Sequence, residues 1–343
     1  MQLYLKKREY MDFLEKIKNR GSTVYFIDVD HKGQYSEIVD YFYQIALKVS
    51  QTHKVIILHD KKDYVKPYYT TRFDGLEHLS FEELQAKEIK ISAADFIFVM
   101  EYYLDVVKQL RETKIPAEIV LVVANFSAIL PSLDMGDNWY NYGIKNVVVT
   151  NDFTRSFCSK FFPTINYHVY NSNLELPLKD KTTLDNPTIL MVNGSVTKIE
   201  DIVKGFFLAY PQYSFVPIKT LELSEYQNIY EQFDNCSVAV FMDDLSSEYD
   251  LLKMALTRGV NTIGLIPKLA PSWFINEEGA IKYGEWTNNP YRLIDLLAMH
   301  FDAWISDNNR QQEPVSFSVY DSDIMDKLME NRIDFLEKIV NKS

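Results

Sequence analysis

The chain has 343 residues, 47% of them hydrophobic, and a formal net charge of -12 at pH 7. That length exceeds what one core usually serves, so two domains are expected, while the negative charge repels polyanions and argues against nucleic acid as a partner. No run of about 18 apolar residues is present to span a bilayer, and the N-terminus lacks a signal-peptide pattern, so a cytoplasmic protein is expected.

The first segment, 6–20, places Tyr10, Phe13, Leu14 and Ile17 on an apolar stripe beside six Lys and Arg side chains. Such a face can lie on an anionic membrane surface, giving a peripheral contact, or dock on the first domain with its basic side in water. Residues 23–29 then read as a short apolar strand, followed by a turn at 30–33 and a helix with Ile38, Tyr41, Phe42, Ile45 and Val49 on one face. Further strands are expected at 53–58, 95–100, 118–124, 147–150 and 167–170, with helices at 102–114 and 153–162 and a polar stretch of weak periodicity between 59 and 94. Near-continuous Val, Ile and Phe in these strands, alternating with helices, predicts a parallel sheet covered on both faces.

A hydrophilic joint at 176–187 precedes a second run with the same rhythm. Ile189, Leu190, Met191 and Val192 form a strand, Asn193, Gly194 and Ser195 a turn, and Ile199, Ile202, Val203, Phe206 and Phe207 a helical face. Strands at 213–217, 237–242 and 261–266 alternate with helices at 224–233 and 247–258, the latter closed by Gly259 as a C-cap. Helices from Pro290 to Phe301 and over 321–340 complete the chain. The domain division is 1–175, an N-terminal Rossmann-like unit; 176–187, a linker; 188–305, a second such unit; and 306–343, a helical tail. The fold class is α/β, two doubly wound parallel-sheet domains facing a cleft. Cys158 and Cys236 match no metal spacing and fall in different domains, so reduced, partly buried thiols are expected.

Both runs place a glycine where a strand gives way to a helix, where backbone N–H groups and the helix dipole favour an anion. In the second run Gly194, Ser195 and Lys198 supply a positive site for a diphosphate, and the helix beginning at Ser246 and Ser247 supplies another through its backbone N–H groups. Glu248, in the first turn of that helix, has an ordinary reading as dipole compensation. On the other side of the cleft, Gly33 and Gln34 lie on the first loop with His31 and Asp30, either of which can serve as a base if a hydroxyl must be deprotonated. Lys198 and His31 also have ordinary readings, as a solvated first-turn lysine and an exposed loop histidine.

Taken together, these segments resemble the GT-B glycosyltransferases, and distantly the retaining, sugar-nucleotide-dependent group called family 4. The residues that carry the resemblance are Gly33-Gln-Tyr-Ser-Glu37, the exit 151–173 ending in Tyr170-Asn-Ser-Asn173, Asn193-Gly-Ser-Val-Thr-Lys198, and 241–264 with Gly259 and Gly264. The resemblance implies a nucleotide-sugar donor as substrate, bound by the second domain at Gly194, Ser195, Lys198, Ser246, Ser247 and Glu248. A glycan, lipid-linked or protein acceptor would sit against the first domain, with no cofactor and no metal. The chain departs from the family pattern at two points. Its paired glutamates fall at Ser246 and Met254, Glu248 standing near the first, and Ser195 replaces its arginine. Those departures open a second reading, a GT-B-like scaffold or partner subunit without donor chemistry. A third reading is a haloacid dehalogenase-type phosphatase using Asp28 and Asp30, with Thr150 and Asp243-Asp244 in the later roles. Tyr68, Tyr69, Trp139 and Tyr140 are candidates for an acceptor channel or for loop packing.

Overall fold

A computed structural model describes residues 22–28, 36–67, 71–124, 129, 132–170, 187–193, 196–222, 226–242, 249–267, 274–275, 280–306, 314–315, 325 and 327–328. The basic segment 6–20 lies outside them.

The first sheet is built from β1 (Thr23–Ile27), β2 (Lys54–His59), β3 (Glu77–Ser80), β4 (Phe96–Met100), β5 (Glu118–Val123), β6 (Asn146–Val149) and β7 (Asn166–Val169), in the order β3-β2-β1-β4-β5-β6-β7. Every pairing is parallel. Alternation along each strand divides the side chains between two faces. On one, Val24, Phe26, Ile57, Phe96 and Phe98 meet Val39, Phe42, Ile45, Ala46 and Val49 of helix α1 (Glu37–Ser50). On the other, Tyr25, Ile27, Ile97, Val99 and Leu121 meet Leu104, Val107 and Leu110 of α3 (Leu104–Glu112) and Cys158 of α4 (Asp152–Phe161). Between β3 and β4 lies α2 (Phe81–Ala86).

The second sheet contains β8 (Ile189–Asn193), β9 (Ile218–Thr220), β10 (Val238–Phe241), β11 (Asn261–Leu265) and β12 (Glu285–Thr287), ordered β12-β11-β10-β8-β9 and again parallel throughout. Helices α5 (Val196–Ala209) and α8 (Arg292–Ser306) cover one face through Ile202, Phe206, Leu293, Leu297 and Phe301. The other face, with Leu190, Ala239 and Phe241, is covered by α6 (Tyr226–Asp234) and α7 (Tyr249–Thr257), and its apolar cluster runs on into the α1 face of the first sheet. Met325 and Leu328, from the expected terminal helix, are buried in that shared cluster.

Several expectations required correction. The strand expected at 213–217 is instead a 3-10 turn at Pro211–Tyr213, and β9 begins one residue after Pro217. Proline has no N–H to give a ladder, but its carbonyl accepts from Ile189 N at 2.9 Å, so Pro217 leads into the strand. Tyr213, read as a strand residue, stacks on Phe206 at 5.8 Å. The polar stretch after β2 holds β3 and α2, and Ser80 with Glu83 forms a reciprocal capping box at the start of α2. That Ser-x-x-Glu spacing is visible in the sequence and is the signal that marks the helix. β12, three residues long on an edge, is a further strand that the apolar pattern does not announce.

The predicted C-cap at Gly259 is present. Its φ of +71° is left-handed, and Val260 N reaches back to Ala255 O at 3.0 Å. Gly264 is required for space, since a Cβ there would lie 2.3 Å from the Trp286 ring and 2.8 Å from Phe241 O. Both cysteines are thiols outside any disulfide and are wholly buried, where partial burial was expected, and burial pushes the Cys158 thiol up to about 12.

Candidate functional site

In an open parallel sheet, ligands bind outside the C-terminal strand ends where the strand order reverses. The first sheet reverses between β1 and β4, the second between β8 and β10. Every sequence-predicted site residue follows one of these strands. Asp30, His31, Gly33 and Gln34 come after β1; Gly194, Ser195 and Lys198 after β8; and Ser246, Ser247 and Glu248 after β10.

Of these, Lys198 falls within the described residues. It is exposed on the first turn of α5, the third residue of the helix that leaves β8 at the switch point. A cation there is placed to meet an anion approaching the helix N-terminus. Asp30, His31, Gly33, Gln34, Gly194, Ser195, Ser246, Ser247 and Glu248 lie outside the described residues. Met254, at the position of the family's second glutamate, is fully buried inside α7. A carboxylate at this position would have no water and would force its own neutralisation.

On the first-domain side the structure gives Asp28 partners that sequence reading passed over. Asp28, just beyond β1, is 6% exposed. Its Oδ2 accepts from the Tyr43 hydroxyl of α1 at 2.6 Å and lies 3.4 Å from His59 Nδ1. His59 Nε2 in turn is 2.8 Å from His78 Nδ1, and Tyr64 stacks on the His59 ring at 4.0 Å with planes 7° apart. β1, β2 and β3 are adjacent, and Asp28, His59 and His78 point to the α1 face, which brings three strands' side chains into one polar cluster. This placement answers the phosphatase reading. An aspartate nucleophile must face a phosphoryl group, whereas Asp28 faces inward, and the Thr150 hydroxyl is engaged with Thr154 and Asn151. The only trace in the sequence is a histidine ending an apolar strand.

Trp139, a channel candidate, is wholly buried and stacks on Phe162 at 4.2 Å, while the Tyr140 hydroxyl accepts from Thr164 N at 3.2 Å. Both pack a loop. Tyr68 and Tyr69 lie outside the described residues.

A second buried group sits where the halves meet. Asp40 of α1 is 0% exposed. Its Oδ2 accepts from Gln44 Nε2 at 2.5 Å, and its Oδ1 and Gln44 Oε1 have no hydrogen-bond partner among the described residues. Burial, foremost, lifts its carboxyl to about 6, opposed by Arg72 and Gln44 and aided by Asp250 of α7. No group of His, Cys, Asp and Glu able to hold a metal occurs among the described residues, and no described helix is long and apolar enough to cross a membrane.

No protein-family model matches the chain, and no curated protein matches it. Solved structures do. The pneumococcal O-GlcNAc transferase in complex with UDP and GlcNAc superposes with a TM-score of 0.57 at 9% identity, over 94% of this chain and 100% of that one. An α-glucosyltransferase in complex with UDP and a 13-mer DNA gives 0.53 at 9% identity, over 86% and 93%. Identity this low speaks to the fold alone, and the fold shared over nearly the full length of both chains is that of the GT-B glycosyltransferases, two doubly wound parallel-sheet domains.

Proposed function

We propose that the protein transfers a sugar from a nucleotide-diphosphate donor to a glycan, lipid-linked or protein acceptor, without a metal or cofactor. The observation that carries this reading is Lys198 on the first turn of α5 at the β8/β10 switch point. Cleavage of a sugar-phosphate bond builds negative charge on the departing diphosphate, and a helix N-terminus with a lysine stabilises it electrostatically. Gly194 and Ser195 would line the same turn, with Ser246, Ser247 and Glu248 contacting the nucleoside from the neighbouring strand. His31 or Asp30 would act as base if the anomeric carbon inverts, beside Gly33 and Gln34 on the acceptor side; a retaining course, as in family 4, needs no such base.

Two neighbours of this fold were solved with UDP, which supports a uridine nucleotide as the first donor to try. One of them was solved with DNA, so the fold excludes no acceptor class; the case against nucleic acid rests on the charge of -12. The proposed location is cytoplasmic, with peripheral membrane contact through the basic segment 6–20 as an added possibility.

The buried Met254 favours a second reading, a non-catalytic partner subunit that keeps the fold and lacks the donor acid. Thermal melting with UDP, GDP, CDP, ADP and their sugar conjugates separates the two. A donor at about 100 times its dissociation constant stabilises by about 2.7 kcal/mol, and a shift with one nucleotide that vanishes in Lys198→Ala supports the transferase. No shift with any nucleotide would leave the partner-subunit reading.

A further inference from the structure

The proposed transfer makes no use of the polar cluster beneath α1, although that cluster stands at the C-terminal rim of the acceptor-side sheet. We propose that Asp28, His59 and His78 form a one-proton positioning network, whose shared proton sets how firmly β1 and α1 are held at this rim. The inference rests on the transferase reading for its acceptor-side role.

Geometry limits the pair to one added proton. His59 Nε2 and His78 Nδ1 face each other at 2.8 Å, so one must donate and the other accept. With both rings cationic, both nitrogens would carry hydrogens, and two positive charges would share one buried site. The second proton is therefore refused, and the rings titrate as a unit. When the unit is charged, His59 donates from Nδ1 toward Asp28 and from Nε2 to His78 Nδ1, while His78 keeps its own hydrogen on Nε2. On losing one proton, the His78 Nε2–H bond breaks to solvent and the hydrogen of His59 Nε2 passes to His78 Nδ1. The hydrogen bond between the rings reverses direction, and Asp28 loses its cationic neighbour.

Charge then decides how tightly the rim is drawn together. The 3.4 Å between His59 Nδ1 and Asp28 Oδ2 is beyond a good hydrogen bond, so attraction there is chiefly coulombic and grows when His59 is cationic. The surroundings suit that cation. Tyr64 stacks over the ring from the β2–β3 connection, and Tyr43 of α1 donates to Asp28 at 2.6 Å. Phe73 backs Tyr43 at 5.2 Å, with the Arg72 guanidinium over the Phe73 ring at 5.2 Å. Among the described residues, the groups facing the network are Asp28 from β1, Tyr43 from α1, Tyr64 and Arg72 from the connection, and His78 from β3. Tying Asp28 also ties β1 to α1 through Tyr43, which is how a proton two strands away reaches the switch point.

The test is imidazole nitrogen NMR on the full chain between about pH 5 and pH 8.5, the range in which histidine titrates, with hydrogen exchange of peptides covering 22–28 and 36–44. The expected result is one shared inflection for the two rings and, after correction for intrinsic exchange, protection lower by about tenfold on the alkaline side, corresponding to about one pH unit of coupling. In His59→Gln and Asp28→Asn that pH step disappears, whereas a merely structural loss would lower protection equally at every pH. Tyr43→Phe, a milder change, is expected to shift the inflection should the other variants fail to fold. Two rings that each charge independently to the full cation would overturn the proposal, as would a pH step that survives in the folded variants. UDP binding by the wild type, measured by calorimetry, separates the two ideas: its absence counts against the transferase reading while the titration still decides the network.

Discussion

Asp40 gives the sharpest quantitative expectation. Its carboxyl rises from an ordinary 3.8 to about 6 in the folded chain, chiefly because α1 buries it. The native state therefore holds this proton where the unfolded chain has released it. Well below the ordinary value both states are protonated and Asp40 contributes no pH dependence; as pH rises from there toward 6 stability falls, because the unfolded state ionises freely and the folded one does not, and above that the loss levels off. The difference, multiplied by 1.36 kcal/mol per unit, is about 3 kcal/mol. An asparagine amide cannot ionise, so the stability of Asp40→Asn relative to wild type is expected to improve by about 3 kcal/mol between about pH 2.5 and about pH 7.5. Urea unfolding followed by tryptophan fluorescence and circular dichroism across that range measures it, with coincident transitions as the check that two-state bookkeeping holds. Parallel pH profiles for the two proteins would refute the reasoning and mean that Asp40 ionises at no cost, by water entry or by a closer approach of Arg72 than the fold implies.

Four further outcomes follow from particular contacts. Gly264→Ala places a methyl 2.3 Å from the Trp286 ring and against a backbone oxygen, so it should cost about 1–3 kcal/mol and alter Trp286 fluorescence. Arg258→Lys gives up the fork to Asp234, with bonds of 2.5 and 2.6 Å joining α7 to α6, and should cost about 1–2 kcal/mol in chemical unfolding, since an ammonium cannot reproduce two parallel bonds. Ser80→Ala removes the capping box of α2 and should cost about 1 kcal/mol by the same measurement. Cys158, whose thiol burial pushes up to about 12, should resist thiol reagents in the folded protein at pH 8 and react once denaturant is added.

The period of the apolar residues by itself determined that two parallel α/β units follow one another, because a strand buried on both faces must be a continuous run of Val, Ile and Phe, as at 96–100 and 118–123. It also located the end of α7 at Gly259, since a left-handed C-cap is a local backbone requirement. Lys198 was legible for the same reason: three residues into a helix, its place is fixed by local geometry. What the sequence could not decide is anything set by neighbours distant in the chain. Glu77 to Ser80 looks like a polar connection and becomes β3 only because β2 offers a ladder edge; Pro217 displaces β9 by forbidding a bond. Trp139, which as a sequence residue suited a ligand channel, is claimed by Phe162. Asp28 read with Asp30 as an acidic pair for phosphatase chemistry, and tertiary packing turned it toward His59, His78 and Tyr43, from positions up to 50 residues apart in the chain. Burial and pairing are properties of a site assembled from several strands, so the pairing of Asp28 and the raised carboxyl of Asp40 exist only once the fold has brought those partners together.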